Sequence, residues 1–331
     1  MRSSLGWRRW IALLAAFTAS ASAAQQVPYQ PPQHTVPSPL FADKSPTLIG
    51  LQGDGGTQLE RNRPPRWDLA EHRRLAAALA ALKPQRKGVV DAYVIAVSLD
   101  SDPVFGREAR EAGKVLARRY DAEGRTLTLA GTDGSAESSL PHGSPETLSI
   151  ALARVAELLD PEEDVLILYS TSHGAPFGLS YHDGDQGYGV ISPFRLWSVL
   201  NELGLERRMV ILSACYSGVF LPLLSSASSV VMTAASHERT SFGCRAENDW
   251  TFFGDALINH ELRKPQPLRA AFDSARTLVA GWETAGKLVE SNPQITMGAQ
   301  AEAWLAVLEA RMPKAASAPV GRPATDALKA H

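Results

Sequence analysis

Two short apolar runs constrain this chain more than anything else in it. One is Asp164-Val165-Leu166-Ile167-Leu168-Tyr169-Ser170-Thr171-Ser172-His173-Gly174, and the other is Arg207-Arg208-Met209-Val210-Ile211-Leu212-Ser213-Ala214-Cys215-Tyr216-Ser217-Gly218. Each is entered through charge and left through small residues, the pattern of a strand buried on both faces of a parallel sheet. Such strands end together at one edge, so the residues just past them, His173 and Cys215, face a common crevice.

That pairing carries chemistry. A thiol becomes a strong nucleophile only as the thiolate, and a neighbouring imidazole takes its proton or stabilises its charge. Gly174 lets backbone approach a substrate closely, and its N–H with that of Cys215 is suited to cradle a tetrahedral oxyanion. Taken singly, a cysteine is usually a small buried hydrophobe and a lone histidine is usually structural. Their shared position at strand exits, in a chain with only two cysteines, points instead to acyl transfer. His182 and His237 close no apolar run and are weaker candidates for the base.

The pattern resembles the legumain-like (asparaginyl endopeptidase-type) cysteine peptidases, a family of the caspase-like clan. The shared motifs are His173-Gly174 and Ala214-Cys215-Tyr216-Ser217-Gly218 after hydrophobic strands, then Val231 to Cys244 and Phe253-Gly254-Asp255, over roughly residues 89 to 300. The resemblance implies His173 as general base and acid, Cys215 as nucleophile and Gly174 as oxyanion donor. It also implies a substrate pocket built from Ser241 and Asp255. Ser213 stands where the family has a glutamate, and Gly106-Arg107 where it has an Arg-His pair, so Arg107 is the one cation left to the pocket. With Asp255 present and fewer cations, the expected preference shifts from asparagine towards a basic or small side chain. By the same resemblance Cys244 lies on the pocket loop, unbonded to Cys215; the competing reading is a Cys215–Cys244 disulfide.

The remaining elements alternate as strand, helix, strand. Val89 to Leu99 reads as a strand, Arg107 to Tyr120 as a helix, Arg125 to Ala130 as an edge strand, and Ser144-Pro145-Glu146-Thr147 as the capped start of a helix. Gly178 to Val190 reads as a hairpin whose acidic turn is solvated, and Ser192-Pro193 opens another helix. The fold class expected is α/β, a caspase-like three-layer sandwich with a mainly parallel sheet and helices on both faces. Residues 71–312 form the peptidase domain, residues 25–70 a Pro-rich linker or pro-segment, and residues 313–331 a disordered tail.

Residues 1–24 read as a signal peptide, with Arg2, Arg8 and Arg9 before an apolar stretch and Ala21-Ser22-Ala23 as the cleavage site. The expected location is therefore periplasmic or secreted, with no membrane span in the mature form. Cleavage removes three arginines and takes the formal charge from −2 to −5. With 33 basic and 35 acidic residues and no basic stripe, no nucleic-acid partner is expected. No His or Cys pair has metal-ligand spacing, and thiol acyl transfer needs no cofactor. The expected partner is a peptide or protein substrate, with the oligomeric state open. The function expected is an exported cysteine endopeptidase acting through a thioester. A transpeptidase on the same dyad and a non-catalytic binding module on the same scaffold are the alternatives.

Overall fold

The computed structural model describes residues 29–42 and 44–328, so the expected signal peptide lies outside the described residues. In chain order the elements are α1 (Pro46–Asp54), β1 (Gln58–Glu60), α2 (Pro65–Ala80), β2 (Ala92–Ser98), α3 (Pro103–Arg119), β3 (Thr126–Leu129), α4 (Pro145–Leu158) and β4 (Val165–Thr171). They continue with β5 (Gly174–Ala175), β6 (Gly178–Asp183), β7 (Gly187–Ile191), α5 (Pro193–Glu202), β8 (Arg208–Ser213), α6 (Leu221–Leu224) and β9 (Ser229–Thr233). The last are α7 (Phe252–Gly254), continued as a π-helix over Asp255–Glu261, then α8 (Leu268–Ala285), β10 (Gln294–Met297) and α9 (Ala301–Ala310).

Six strands form the main sheet in the order β10-β9-β8-β4-β2-β3, all parallel except β10, which pairs antiparallel with β9. Alternation along each strand divides the core. On β2, Val94 and Ala96 join the cluster under α3, α8 and α9, while Tyr93, Ile95 and Val97 join the one containing residues of α2, α4 and α5. Strands β4 and β8 divide in the same way, with Ile167 and Ile211 on one face and Leu168 and Leu212 on the other. This is the three-layer α/β sandwich the sequence implies. Each such side chain contributes roughly 1.5–3 kcal/mol on burial, which is why the middles of β2, β4 and β8 are apolar on both faces. The β4–β8 register pairs Ser170 with Leu212 and Thr171 with Ser213, so both strands leave the sheet at the same level.

Local signals explain the helices. Ser144 caps α4 by accepting the Thr147 N–H, and the Thr147 hydroxyl accepts the Ser144 N–H in return. Helix α3 starts four residues before Arg107, with Asp102 as N-cap residue and Pro103 in its first turn; its opening residues are part of the active site.

Two expectations for the flanks are corrected. The segment read as a Pro-rich linker is folded: prolines 46 and 65 occupy first turns of α1 and α2, a role that suits proline because the first N–H groups of a helix need no partner within it. Strand β1 extends a second, four-stranded sheet by pairing antiparallel with β7. The acidic hairpin turn is likewise an anchor rather than a solvated loop. Asp183 pairs with Arg63 at 2.7 Å, and Asp185 accepts the N–H groups of Thr35 and Val36 at 2.9 and 3.1 Å.

The tail read as disordered is also tied down through residue 328. Val320 exchanges two hydrogen bonds with the Asn259 amide, its carbonyl accepts the Trp250 indole N–H at 2.9 Å, and Ala324 donates its N–H to Asp255 at 2.8 Å. The sequence lacked apolar bulk there because backbone groups, rather than side chains, make most of these contacts. Asp255→Ala strands the Ala324 N–H and one Asn259 donor, each costing roughly 1–3 kcal/mol if left unpaired. Urea unfolding is expected to show that loss, and limited proteolysis to show cleavage within 313–328; unchanged stability with a protected tail would contradict this account.

Candidate active site

Strand β4 ends at Thr171 and delivers His173, and β8 ends at Ser213 and delivers Cys215. Between them Gly174 lies against the Cys215 carbonyl so closely that a Cβ there would sit 2.1 Å from that oxygen. Only glycine permits this approach. Tyr216, directly after Cys215, adopts the left-handed conformation at φ 56°, turning the chain sharply into the short 3-10 helix Ser217–Phe220. A non-glycine residue in that region carries local strain, held here by the Tyr216 N–H bond to the Arg239 carbonyl at 2.8 Å.

His173 is 44% exposed and stands on the edge of the buried Phe105 ring, with centroids 5.0 Å apart and planes at 81°. Its Nε2 lies 3.7 Å from the Asp102 carboxylate. Although it occupies the N-cap position of α3, Asp102 makes no side-chain cap bond, which leaves its carboxylate to face the imidazole. Burial on its own would lower the His173 pKa. The pairing with Asp102 and the negative charges of Asp100, Asp102 and Cys215 outweigh it, and the net shift is upward. For Asp102, burial acts upward and His173 more than reverses it, so the carboxyl stays ionised. These partners favour the imidazolium relative to a free histidine.

The Cys215 sulfur has its own stabilising shell. A hydrogen bond from the Cys244 thiol is the largest influence, opposed by burial and reinforced by Ser241 and by the positive charge on His173. Ser241 N–H donates to Sγ at 3.2 Å, and the Ser241 hydroxyl lies 3.6 Å away. Together these draw the Cys215 pKa down to about 6. Cys244 shifts the opposite way, well up, because its proton is the one held between the two sulfurs. Both cysteines are free thiols.

Beneath this pair lies a buried polar network that the sequence reading missed. The Glu108 carboxylate, fully enclosed, accepts from the Tyr169 hydroxyl at 2.6 Å, the Thr171 hydroxyl at 2.8 Å and the Thr251 N–H at 2.8 Å. A Cβ on Gly254 would meet its Oε2 at 2.2 Å. Glu108 thus joins α3 to β4 and to the loop that carries Ser241 and Cys244. Its signal was present: Phe105, Glu108, Ala109 and Ala112 follow the helical spacing of a buried face, with one charged residue among them. Asp102 was also legible, as an Asp-Pro helix start.

The predicted substrate residues divide. Ser241 is at the sulfur. Ser213 is buried, and its hydroxyl is 3.1 Å from that of Thr251, so it belongs to the network under the site and not to a substrate-facing surface. Asp255 has no exposed surface and is engaged by Ala324, Asn259 and His260. Arg107 spends its donors on the carbonyls of Asp133, Ala246 and Asn248 and pairs with Asp249 at 3.5 Å. Motif position put these three in the pocket; in the structure their polar groups are taken up by partners within the protein. The charge argument for a basic side chain, which rested on Asp255, loses its ground with them. A groove of about 500 Å³ lined by Gln58, Glu60, Leu148 and Arg195 is separate from all of these groups.

His173, Asp102, Cys215 and Ser241 together can hold a thiolate beside an imidazolium, the resting state of a thiol acyl-transfer site. No curated protein sequence matches the chain. Among solved structures it is similar to the crystal structure of caspase-1 from Spodoptera frugiperda, at 14% identity over 66% of this chain and 93% of that one, with a TM-score of 0.41. Residues 145–301, the stretch that carries His173, Cys215 and Ser241, match the model of the Peptidase C13 family.

Proposed function

We propose that the protein is an exported endopeptidase in which Cys215 attacks the peptide carbonyl and His173 moves the protons. The observation that carries this reading is the level exit of β4 and β8, which brings His173 and Cys215 to one rim; beside it, the sulfur is drawn down to about 6 and the imidazole is shifted up, each with the other's charge among the causes. The thiolate adds to the carbonyl carbon, and the N–H groups of Gly174 and Cys215 receive the developing oxyanion. Collapse of the tetrahedral intermediate breaks the C–N bond as imidazolium gives its proton to the leaving amine. His173, now neutral, takes a proton from water, whose oxygen attacks the thioester and releases the acid and the thiolate.

Asp102 is the positioning residue for His173 in this scheme, sharing its charge and fixing the ring against Phe105. Cys244 and the Ser241 N–H hold the sulfur anionic before substrate arrives. Export rests on the leader-like run before residue 24, and sequencing the N-terminus of the protein recovered from the cell envelope or medium tests it. An uncut leader in the cytoplasm would oppose export.

A peptidyl acyloxymethyl ketone is expected to alkylate Cys215, with the label absent from Cys215→Ala and strongly reduced in His173→Ala. Mass spectrometry of the tryptic peptides locates the label. Attachment to Cys244 instead, or equal labelling of His173→Ala, would sink the assignment and leave the binding-module reading in its place.

The thiolate predominates above the lowered pKa and is lost as pH falls through it. Iodoacetamide should therefore react with Cys215 at a rate that rises through about pH 6 and levels off above. In Cys244→Ala the largest lowering influence is gone, so the midpoint should move up towards the ordinary thiol range; an unmoved midpoint would show that Cys244 contributes nothing to the thiolate.

Asp102→Asn keeps the shape and removes the charge opposite His173. The two groups are 3.7 Å apart and partly exposed, where an ion pair contributes roughly 0.2–1 kcal/mol, so peptide cleavage should fall by up to about fivefold. Thermal unfolding of the same variant distinguishes this from a lost helix start, since the wild-type side chain caps nothing.

A further inference from the structure

Asp100, just past the end of β2, carries a fully buried carboxylate that the reaction scheme does not use. Its Oδ1 accepts the Asp102 N–H at 2.8 Å, and its Oδ2 is enclosed with no partner. Opposite it, His182 on β6 presents a buried Nε2 that also has no partner. Backbone fixes the two against each other: Asp100 and His182 form an isolated bridge, the His182 N–H donates to Leu99 O at 3.0 Å, and the Ser101 N–H donates to His182 O at 3.0 Å. From the N-terminal segment His34 stacks on the His182 ring, with centroids 3.7 Å apart and planes inclined by 16°, and its Nε2 lies 3.7 Å from Asp100 Oδ1.

One ligand atom from each of these three residues lies within 4.8 Å of the others. A buried carboxylate oxygen and a buried imidazole nitrogen without partners are costly on their own. Two imidazoles and one carboxylate are what a borderline-soft divalent ion selects, whereas calcium and magnesium take all-oxygen shells. We propose that His34, Asp100 and His182 bind one zinc-class divalent ion, which fastens the N-terminal segment to the edge of the sheet. Zinc sits about 2.0–2.1 Å from imidazole nitrogen, so binding draws the three groups together. His34 supplies the movement because it comes from a surface segment, while Asp100 and His182 are already in place. The Asp102 N–H bond to Oδ1 orients the carboxylate so that Oδ2 faces inward, the outer-shell support that such ligands ordinarily have. Sequence spacing gave no sign of the site because its ligands come from three separate segments.

The test uses full-length protein carrying Cys215→Ala and Cys244→Ala, so that thiolates do not compete for metal. Titration with Co²⁺ is expected to give one equivalent, with visible d–d bands and no sulfur charge-transfer band. His34→Ala and His182→Ala, each added to that background and checked for folding by circular dichroism, are expected to weaken binding by more than about tenfold, the lower range for loss of even an outer-shell partner. Zn²⁺ should also slow proteolysis within residues 29–42 in the background protein and not in His182→Ala. Absence of a bound equivalent overturns the proposal. So does affinity unchanged in both histidine variants, or loss of binding only when His173 is replaced, which would move the ion to the Asp100, Asp102 and His173 group.

Discussion

The parallel pairing of β4 with β8 is the constraint on which the rest depends. Because Thr171 lies opposite Ser213, the two chains emerge at one level, and two further residues on each side bring an imidazole and a sulfur to the same rim. A shift of one residue in a strand turns every side chain to the other face. Here that would exchange the Ile167 and Ile211 face for the Leu168 and Leu212 face, and two differently packed helical layers oppose it. The packing of the core thereby fixes the geometry of the site.

Around that rim the charges are arranged in sequence from the outside inwards. Asp102 lies beside His173, the charges of His173 and Cys215 act on each other, and the sulfur takes hydrogen bonds from Cys244 and from the Ser241 N–H. Glu108 below is fully hydrogen-bonded, which is the condition under which a buried carboxylate is tolerated. Its three donors come from two different parts of the chain, β4 and the start of α7, so the network holds the Ser241–Cys244 loop in relation to the sheet.

Much of this was legible in the sequence where the signal was local. Apolar runs located β4 and β8, and Ser144-Pro145 located the start of α4. The glycine after His173 marked a close backbone approach. What escaped was set by contacts between distant segments. Ser213, Asp255 and Arg107 were assigned by motif position, and position along the chain does not say which neighbour a side chain meets. Ser213 meets Thr251, Asp255 meets the backbone of Ala324, and Arg107 meets the carbonyls of another loop. Glu108 and Asp102 could have been found from helical spacing and from the Asp-Pro pair. The flanks escaped for a different reason: before residue 70 the prolines and glycines masked two helices whose first turns hold Pro46 and Pro65, and residues 313–328 are poor in large apolar residues and hold on mainly through backbone hydrogen bonds.

The docking of residues 313–328 has a consequence for the order in which the fold is completed. Trp250 and Asn259, which flank the start of α7 and the π-helix, share the Val320 carbonyl, and Asp249 accepts the Arg322 N–H. Synthesis runs from the N-terminus, so His173 and Cys215 leave the ribosome before Val320 does. The segment from Asp249 to Asn259 therefore waits for residues some sixty to seventy positions further on, and a chain cut before residue 320 keeps its sulfur and imidazole but lacks these bonds.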